Sequence, residues 1–372
     1  MDFCDVLIVG GGPAGSSCAW GLRESGLDIL VIDRCRFPRH KLCGGWITPL
    51  ALEGLGILPE AYAPGRVLQA ITGFRLSCLE QRQVDIHYDR TISYGIRRCE
   101  FDEYLLRRCG ACIREGLPFR SIVRTSDGWT VNGDIKARVV VGAGGHFCPI
   151  SRFLGNKASC PSVVAQEIEF EMEATEAASS SVIGELPELY FCRDIRGYGW
   201  CFRKQNVLNV GLGRMGNRGV STDFRHFLRF LKQGRNVGVP DKGILGHAYW
   251  LFGRSQLSIL DDAILLIGDA AGLAYPESGE GIRPAIESGL MAAHTIISAK
   301  GDYRAHRLEP FRDLVNARLR HQQNGFEALA HFIPQSVREI CSRLLLRNRS
   351  FCRNIVLDRW FLRLAERPLT LQ

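Results

Sequence analysis

The amino-acid sequence predicts an α/β protein with a Rossmann-like dinucleotide-binding domain, an inserted antiparallel β-sheet domain and a C-terminal helical region. Three observations support this prediction. A strand, a glycine-rich turn, a helix and a second strand follow one another at the N-terminus, and a similar strand-turn-helix pattern recurs at residues 263–293. Between them lie short segments in which polar and apolar residues alternate, as they do in antiparallel sheets.

The N-terminal stretch "VLIVGGGPAGSSCAWGLRESGLDILVIDR" is the strongest signal. Its apolar runs, 6–9 and 29–32, suit strands that are buried on both faces. The glycines between them fit G-x-G-x-x-G, which allows a turn with positive φ and a close approach of the backbone to a pyrophosphate. The next helix directs N–H groups at phosphates, and the acid ending the second strand can accept hydrogen bonds from an adenosine ribose, although an ordinary glycine-rich turn is the alternative. The predicted dinucleotide contacts are Gly10, Gly12, Pro13, Ala14, Gly15, Asp33 and Arg34.

A second cofactor segment is "AILLIGDAAGLAYPESGEGIRPAIESGLMAA", residues 263–293. It predicts a buried strand, a glycine-rich turn and a helix from about residue 283. The acid at the strand end can accept hydrogen bonds from ribityl or ribose hydroxyls. Backbone N–H groups of Gly279, of the following glycine and of the helix N-terminus can face an electron-rich ring edge. The predicted contacts in this segment are Gly268, Asp269, Pro276, Gly281 and Ile282.

Length and composition limit the class of protein. The 372 residues suggest two domains or one large composite, and 46% hydrophobic with 23% charged residues is ordinary for a globular protein. No apolar run approaches the roughly 20 residues that span a bilayer, and no basic leader precedes the first strand, so a cytoplasmic location is predicted. Most of the 14 cysteines are expected to be reduced and buried. The C-x-x-C from Cys109 to Cys112 lacks a second pair at zinc spacing, so no metal site is predicted, and a thioredoxin-like dithiol is the alternative.

The net charge of +8 is concentrated in residues 301–372, which are rich in arginine and contain no lysine. No zinc-finger, RNP-like or recognition-helix pattern accompanies the charge, so nucleic acid is not a predicted partner. The stretch "SRLLLRNRSFCRNIVLDRWFLRLAERP" mixes arginines with large apolar residues at loosely helical spacing. It is expected either to pack its apolar face on the body of the protein or to lie on an anionic membrane surface.

The segment around Asp269 resembles the G-D motif of the FAD-dependent oxidoreductases that have the para-hydroxybenzoate hydroxylase fold. The stretch "RRCEFDEYLL" resembles the R-x-x-F-D-x-x-L of that family, and it aligns Arg98 with the arginine that commonly contacts the FAD. The resemblance covers most of the chain. It implies that the cofactor is FAD and not free NAD.

The resemblance also implies a domain organisation. The FAD-binding domain is expected to be discontinuous, with residues 1–68, 96–158 and 256–300, and the last residues, 301–372, form the helical, arginine-rich region. Residues 69–95 and 159–255 are expected to form the substrate-binding domain. Its candidate strands are "RQVDIHY", "AQEIEFEM", "ELYFC", "YGWCF" and "LNVGLG".

One motif departs from the family pattern. "VVVGAGGHFCPISR" stands in the place of G-A-D-G-x-x-S-x-V-R, but Gly144 replaces the aspartate, Cys148 the serine and Ser151 the arginine. In the hydroxylases that aspartate is associated with flavin and nicotinamide contacts. The external reductant therefore stays open among NADPH, NADH, reduced ferredoxin and another flavoprotein.

Two stretches resemble the geranylgeranyl reductase branch of the family. "PRHKLCGG", residues 38–45, matches P-x-x-K-x-C-G-G, which implies that Lys41, Gly44 and Gly45 lie beside the cofactor. "RGYGWCFRK" resembles Y-x-W-x-F-P, with arginine in place of the proline, and it fits the W-x-W-x-I-P of the flavin-dependent halogenases less well. Alternation along a strand places Tyr198, Trp200 and Phe202 on one face. These aromatic side chains are expected either to form part of the core or to lie beside the flavin.

These features lead to three functional hypotheses. The first is a FAD-dependent reductase acting on carbon-carbon double bonds of an apolar, isoprenoid-like substrate, with Tyr198 and Trp200 forming the cavity wall. In that reaction Cys43 is either the proton donor or a small spacer beside the flavin. The second is a monooxygenase or halogenase acting through a flavin C4a-hydroperoxide on an aromatic or heterocyclic substrate. The third is a non-catalytic flavin-binding or membrane-surface partner protein.

Overall fold

The computed structural model describes residues 2–79, 81–156, 162–216, 219–235, 237–240, 242–320 and 335–371. The strands are β1 (Asp2–Val9), β2 (Ile29–Asp33), β3 (Trp46–Ile47), β4 (Leu68–Ile71), β5 (Gly73–Cys78), β6 (Val84–His87), β7 (Ser93–Ile96), β8 (Cys112–Glu115), β9 (Ile122–Thr125), β10 (Gly128–Val131), β11 (Ile135–Gly142), β12 (Val163–Glu171), β13 (Glu188–Phe191), β14 (Gly197–Lys204), β15 (Val207–Met215), β16 (Leu245–Tyr249), β17 (Leu260–Asp261) and β18 (Ile264–Leu266). The helices are α1 (Pro13–Leu22), α2 (Pro49–Glu53), α3 (Pro59–Tyr62), α4 (Arg98–Arg107), α5 (Pro149–Phe153), α6 (Ala174–Ser179), α7 (Val220–Arg235), α8 (Ile282–Ser298), α9 (Ala305–Arg320), α10 (Gln335–Leu345) and α11 (Arg349–Phe351), with a 3-10 helix at Gly268–Ala271 and a π-helix at Cys352–Phe361.

An eight-stranded sheet carries the dinucleotide motifs. Its order is β17-β18-β11-β1-β2-β8, and β10 and β9 add an antiparallel extension on β11. Strands β1, β2, β8, β11 and β18 run parallel, so the carboxyl ends of β1, β2, β11 and β18 lie along one edge. Most apolar residues of these strands are buried, as expected for a parallel sheet, with Phe3 near the start of β1 exposed, and α1 packs against α8. The α/β fold class is thereby confirmed.

A seven-stranded sheet forms the second layer, in the order β16-β12-β15-β14-β13-β5-β6. Each of the predicted strand segments contributes to it, and the pairing is antiparallel except between β13 and β5. One face packs its apolar residues against α7, through Phe224 and Phe227 among others. The other face carries Trp200 and Phe202, which pack together with Leu42 and Trp46 from the segment after β2. This sheet is therefore covered on both sides.

A small antiparallel sheet is formed by β3, β7 and β4, with β7 in the middle. The strands of the large sheets come from the segments that were predicted for the two domains, while the domain boundaries themselves stay a prediction. Within the described ranges, no helix is long and apolar enough to cross a membrane.

The C-terminal region is mainly helical where it is described, with the last helix ending at Phe361, and part of the arginine-rich region falls at residues 321–334, outside the described residues. In the π-helix, Cys352, Val356, Leu357 and Phe361 are buried against the second sheet. This part of the segment therefore packs its apolar side chains on the body of the protein. Membrane contact of the arginine-rich surface stays a prediction.

Candidate active site

A cavity of about 400 Å³ lies between the carboxyl edge of the parallel sheet and the face of the second sheet that carries Trp200 and Phe202. Most of the residues predicted from the sequence line it, and Gly15, Gly268 and Pro276 are not among the lining residues. The predicted residues that line the cavity are Gly10, Gly12, Pro13, Ala14, Asp33, Arg34, Lys41, Cys43, Gly44, Gly45, Arg98, Tyr198, Trp200, Asp269, Gly281 and Ile282.

One end of the cavity, called the first end below, is built by the turn between β1 and α1. Gly15 packs so closely on this turn that a Cβ at its position would lie 1.9 Å from the carbonyl oxygen of Gly10. The Asp33 carboxylate accepts hydrogen bonds from the N–H groups of Gly11 and Cys35, each at 2.8 Å. These bonds hold the acid at the end of β2, where it lines the cavity. The turn therefore has the shape and the acid that a dinucleotide requires.

Positive side chains surround this end of the cavity. Arg98 is buried and makes a bidentate pair with the buried Asp102, at 2.7 and 2.8 Å. Arg39 lies 3.3 Å from the same carboxylate, and Arg34 also lines the cavity. Burial opposes the charged form of Arg98, but Asp102 and Cys43 together outweigh that effect and raise the pKa of the guanidinium. The charge needed beside an anionic pyrophosphate is thus present.

A row of three titratable side chains crosses the middle of the cavity. Lys41 Nζ lies 2.6 Å from His247 Nε2, and the same imidazole nitrogen lies 3.6 Å from Asp269 Oδ2. Burial lowers the pKa of Lys41 to about 8, against the attraction of Asp269, and burial also lowers the pKa of His247. Burial alone would raise the pKa of Asp269, but the hydrogen bond with His247 and the charge of Lys41 hold it below its usual value. His247 therefore connects two predicted cofactor contacts that lie far apart in the sequence.

Cys43 is held in the loop between β2 and β3. Its N–H donates to Glu167 Oε1 at 2.7 Å, and its carbonyl accepts from Asn209 Nδ2 at 3.3 Å. The thiol accepts a longer hydrogen bond, 3.4 Å, from the N–H of Gly45. It is also near enough to the Arg98 guanidinium and the Tyr198 hydroxyl to interact electrostatically with both. The backbone of Cys43 is thus fixed on both sides while its half-buried side chain lines the cavity.

The aromatic stripe of β14 lines the second end of the cavity. The Tyr198 hydroxyl donates to the carbonyl of Ser278, and burial raises the pKa of this phenol. Trp200 Nε1 donates to Asn209 Oδ1 at 2.6 Å, and its ring lies over Gly211, where a Cβ would come within 2.1 Å of the indole. Both polar groups are therefore bound to the protein, and the rings present apolar surface to the cavity together with Phe202.

Phe361, from the C-terminal π-helix, completes this wall. Its ring stacks on Trp46 at a centroid distance of 5.7 Å and an interplanar angle of 27°, and it meets Tyr198 edge-on at 5.4 Å. No separate signal in the sequence points to this residue, because its segment shows only the general pattern of a basic amphipathic helix. The structure shows that the C-terminal segment supplies part of the cavity.

Replacing Phe361 by leucine should lower the free energy of unfolding by about 1–2 kcal/mol, because the buried ring loses its aromatic contacts with Trp46, Phe191 and Tyr198. Urea denaturation of both proteins measures the difference. Phe3→Leu, at an exposed position in β1, is the control and should change stability by less than about 0.5 kcal/mol. Equal effects of the two substitutions would contradict the packing of the C-terminal segment on the cavity.

Other side chains that line the cavity were not predicted from the sequence. They include His146, Tyr249 and Glu280. Burial lowers the pKa of His146 to about 4, and His247 adds to this effect. The His146 Nδ1 atom is buried and has no hydrogen-bond partner among the described residues. Burial raises the pKa of Glu280 to about 7. A signal existed for Glu280 alone, since it lies inside the glycine-rich turn.

The altered motif at residues 142–152 forms the turn after β11 and the start of α5. Gly144 lines the cavity, and Cys148 is fully buried behind it. Ser151 Oγ donates to the carbonyl of Ala270 at 2.9 Å, and it therefore ties this turn to the one that carries Asp269. Arg152 is exposed. Within the described ranges, no cluster of three or more histidine, cysteine or acidic side chains is arranged to hold a metal ion.

The cavity fits FAD by its own features. Gly12 lines the cavity at the N-terminus of α1, arginines provide positive charge, and the orphaned imidazole nitrogen of His146 offers a polar partner. The residues that would hold the adenosine and pyrophosphate are those of the first end, including Asp33 and Arg34. Lys41 and Asp269 lie at the middle, where the ribityl chain and ring system would follow.

Comparisons with known proteins agree with this assignment. Residues 5–103 match the family model described as FAD dependent oxidoreductase. The chain is 28% identical to digeranylgeranylglycerophospholipid reductase 1 of Methanothermobacter thermautotrophicus, over 83% of this chain and 81% of that protein. It is also 28% identical to a menaquinone reductase of Mycobacterium tuberculosis, over 80% of this chain and 77% of that protein.

Solved structures show the same fold. A geranylgeranyl bacteriochlorophyll reductase-like protein from Thermoplasma acidophilum superimposes with a TM-score of 0.73 and 22% identity, over 93% of this chain and 88% of that one. The halogenase PltM in complex with FAD gives a TM-score of 0.69 and 16% identity, over 94% of this chain and 78% of that one. The fold, the cavity and these comparisons define a FAD-dependent oxidoreductase. Within that class the chain is geranylgeranyl reductase-like, as its sequence motifs predicted.

Proposed function

We propose that this oxidoreductase reduces carbon-carbon double bonds of an apolar, isoprenoid-like substrate. The apolar end of the cavity, which adjoins Cys43, is the main observation in favour. It is lined by Leu42, Trp46, Leu189 and Phe202 in addition to the rings already described. Such a surface binds hydrocarbon and excludes water. The names of the relatives, which include several digeranylgeranylglycerophospholipid reductases, support the same class of substrate.

The reaction needs a hydride for one carbon of the double bond and a proton for the other. Bound FAD in its reduced form supplies the hydride chemistry. An isolated alkene accepts hydride poorly, so the proton must be delivered early or in concert. The chain must therefore orient the double bond, keep water away and hold one proton beside it.

Cys43 is the proposed proton donor. Tyr198 and Trp200 donate their own hydrogens to protein acceptors, so they serve as walls that orient the substrate. The Cys43 sulfur instead accepts the hydrogen bond of Gly45 N–H, and its own hydrogen stays available for the substrate. Arg98 is close enough to stabilise the thiolate that remains after the proton is transferred.

The electron donor is proposed to be NAD(P)H, reduced ferredoxin or another flavoprotein. Gly144 and Ser151 stand where the hydroxylases carry an acid and an arginine, so this turn offers no charged side chain at those two positions. Anaerobic mixing of the oxidised protein with each reductant in turn, followed by the flavin absorbance, identifies the donor.

The protein loaded with FAD and reduced without oxygen should recover its oxidised flavin spectrum when a digeranylgeranylglycerophospholipid is added. The recovery should be proportional to the double bonds supplied, because each reduction consumes one two-electron equivalent. The fully saturated lipid is the control and should leave the spectrum unchanged. Recovery only after oxygen is admitted, with oxygenation or halogenation of an aromatic or heterocyclic compound, would contradict the proposal and favour a monooxygenase or halogenase.

A further inference from the structure

Glu167 lies directly beneath the loop that carries Cys43. It belongs to β12, and only 3% of its surface is exposed. Oε1 accepts the Cys43 N–H at 2.7 Å, while the buried Oε2 has no hydrogen-bond partner among the described residues. A buried carboxyl group is costly unless its bonds compensate, so one strong bond to the Cys43 backbone is the main interaction that Glu167 gains.

Asn209 provides the second half of this support. The register of β12, β15 and β14 places Asn209 opposite Glu169, and Gly211 opposite both Glu167 and Trp200. Asn209 Nδ2 donates to the Cys43 carbonyl, and its Oδ1 accepts from Trp200. Side chains of the second sheet therefore hold both backbone groups of Cys43, and the same amide fixes the indole of the cavity wall. We call Glu167 and Asn209 the Cys43 clamp.

Burial and the groups around the Cys43 clamp together set the pKa of Glu167. Burial raises its pKa to about 7, while the Cys43 N–H and the positive charges of Lys204 and Lys41 lower it and Glu169 raises it. Lys204 Nζ is itself bound to Glu169 Oε2, at 2.9 Å. A carboxylate accepts a stronger hydrogen bond than a protonated carboxyl group. Glu167 thus holds Cys43 most firmly above neutral pH.

We propose that Glu167 is a positioning residue, which fixes the Cys43 loop against the second sheet so that the thiol stays beside the apolar end of the cavity. The consequence for catalysis rests on the proposed function, in which Cys43 donates the proton. The positioning of the loop by Glu167 does not rest on the proposed function, because restraint of the loop can be measured without any substrate.

Alkylation of Cys43 by iodoacetamide, followed by peptide mass spectrometry, measures that restraint. The exposed Cys112 of the same molecules is the internal reference. Glu167→Ala should increase the Cys43 rate roughly tenfold relative to Cys112, since a hydrogen bond to a charged acceptor is lost. Glu171→Gln is the matched control, because it alters an exposed glutamate of the same strand, and it should leave the ratio unchanged.

Glu167→Gln separates charge from shape, since it keeps an acceptor for the Cys43 N–H and cannot ionise. Its Cys43 should react like the wild type at about pH 6, where Glu167 is protonated, and severalfold faster than the wild type at about pH 8, where the carboxylate is formed. Single-turnover reduction should show the reverse order. The wild type should be faster than Glu167→Gln at about pH 8, and the two proteins should be equally fast at about pH 6. If Glu167→Ala does not fold, this pair of pH profiles remains the test.

The two proposals fail in different ways. Faster alkylation in Glu167→Ala, with no reduction of isoprenoids by any form of the protein, would keep the positioning role and overturn the proposed function. Isoprenoid reduction by the wild type, with alkylation and turnover in Glu167→Ala and Glu167→Gln equal to the wild type at every pH, would overturn the positioning role.

Discussion

Cys43→Ala is expected to slow the anaerobic single-turnover reduction of an isoprenoid by roughly 100-fold or more, because general acid catalysis contributes about 10²–10⁴-fold and the variant has no proton at this position. Cys43→Ser should be slowed to a similar extent, since serine keeps the size of the side chain but is a far weaker acid. Rapid mixing of the reduced protein with substrate measures both rate constants.

Cys112→Ser is the control for the loss of a thiol, because Cys112 is exposed at the start of β8, and its rate should equal that of the wild type. FAD content should be the same in all four proteins. Equal, near-wild-type rates for Cys43→Ala and Cys43→Ser would show that Cys43 is a spacer beside the flavin.

Gly15→Ala is expected to weaken FAD binding severely, with an increase in the dissociation constant of at least about 100-fold. The added Cβ would lie 1.9 Å from the carbonyl oxygen of Gly10, so the glycine turn and the start of α1 would have to move apart. The turn would then no longer present its N–H groups to the pyrophosphate. The ratio of flavin to protein absorbance after purification, and a fluorescence titration of the apoprotein with FAD, measure the effect.

Gly234→Ala is the matched control for that substitution. This glycine lies in α7, and a Cβ at its position would meet nothing within 4 Å. FAD binding should be unchanged, and stability should rise slightly because alanine favours a helix. Normal FAD content in Gly15→Ala would contradict the assignment of the N-terminal turn to the cofactor.

The sequence predicted several of the residues that line the cavity, because the determinants there are local. The glycines around α1 and the acids at the ends of β2 and β18 lie within short segments whose spacing is fixed by a strand, a turn and a helix. The structure accordingly places Asp33 and Asp269 on the same cavity. The roles assigned to them stay predictions until FAD contacts are measured.

Glu167 could not be identified in this way. In "AQEIEFEM" the glutamates alternate with apolar residues, which is typical of a sheet with one face in solvent. The β12 strand instead has both faces covered, by α7 on one side and by the Cys43 loop on the other. Alternation shows which residues share a face, but it does not show what packs on that face.

His247 and Phe361 were missed for a related reason. His247 contacts Lys41 across 206 residues of chain, and its strand carries no motif. Phe361 reaches the cavity only because the π-helix packs on the second sheet. Contacts between distant segments depend on how the sheets are arranged, and local patterns contain no information on that arrangement.

The mass of the product formed without oxygen tests the central claim most directly. The reduced, FAD-loaded protein is mixed anaerobically with a digeranylgeranylglycerophospholipid, and the lipid is analysed by mass spectrometry. A gain of two hydrogen atoms for each double bond reduced, absent when FAD is left oxidised, is the predicted result. An unchanged lipid under these conditions, together with an oxygenated or halogenated aromatic product once oxygen is present, would contradict the account.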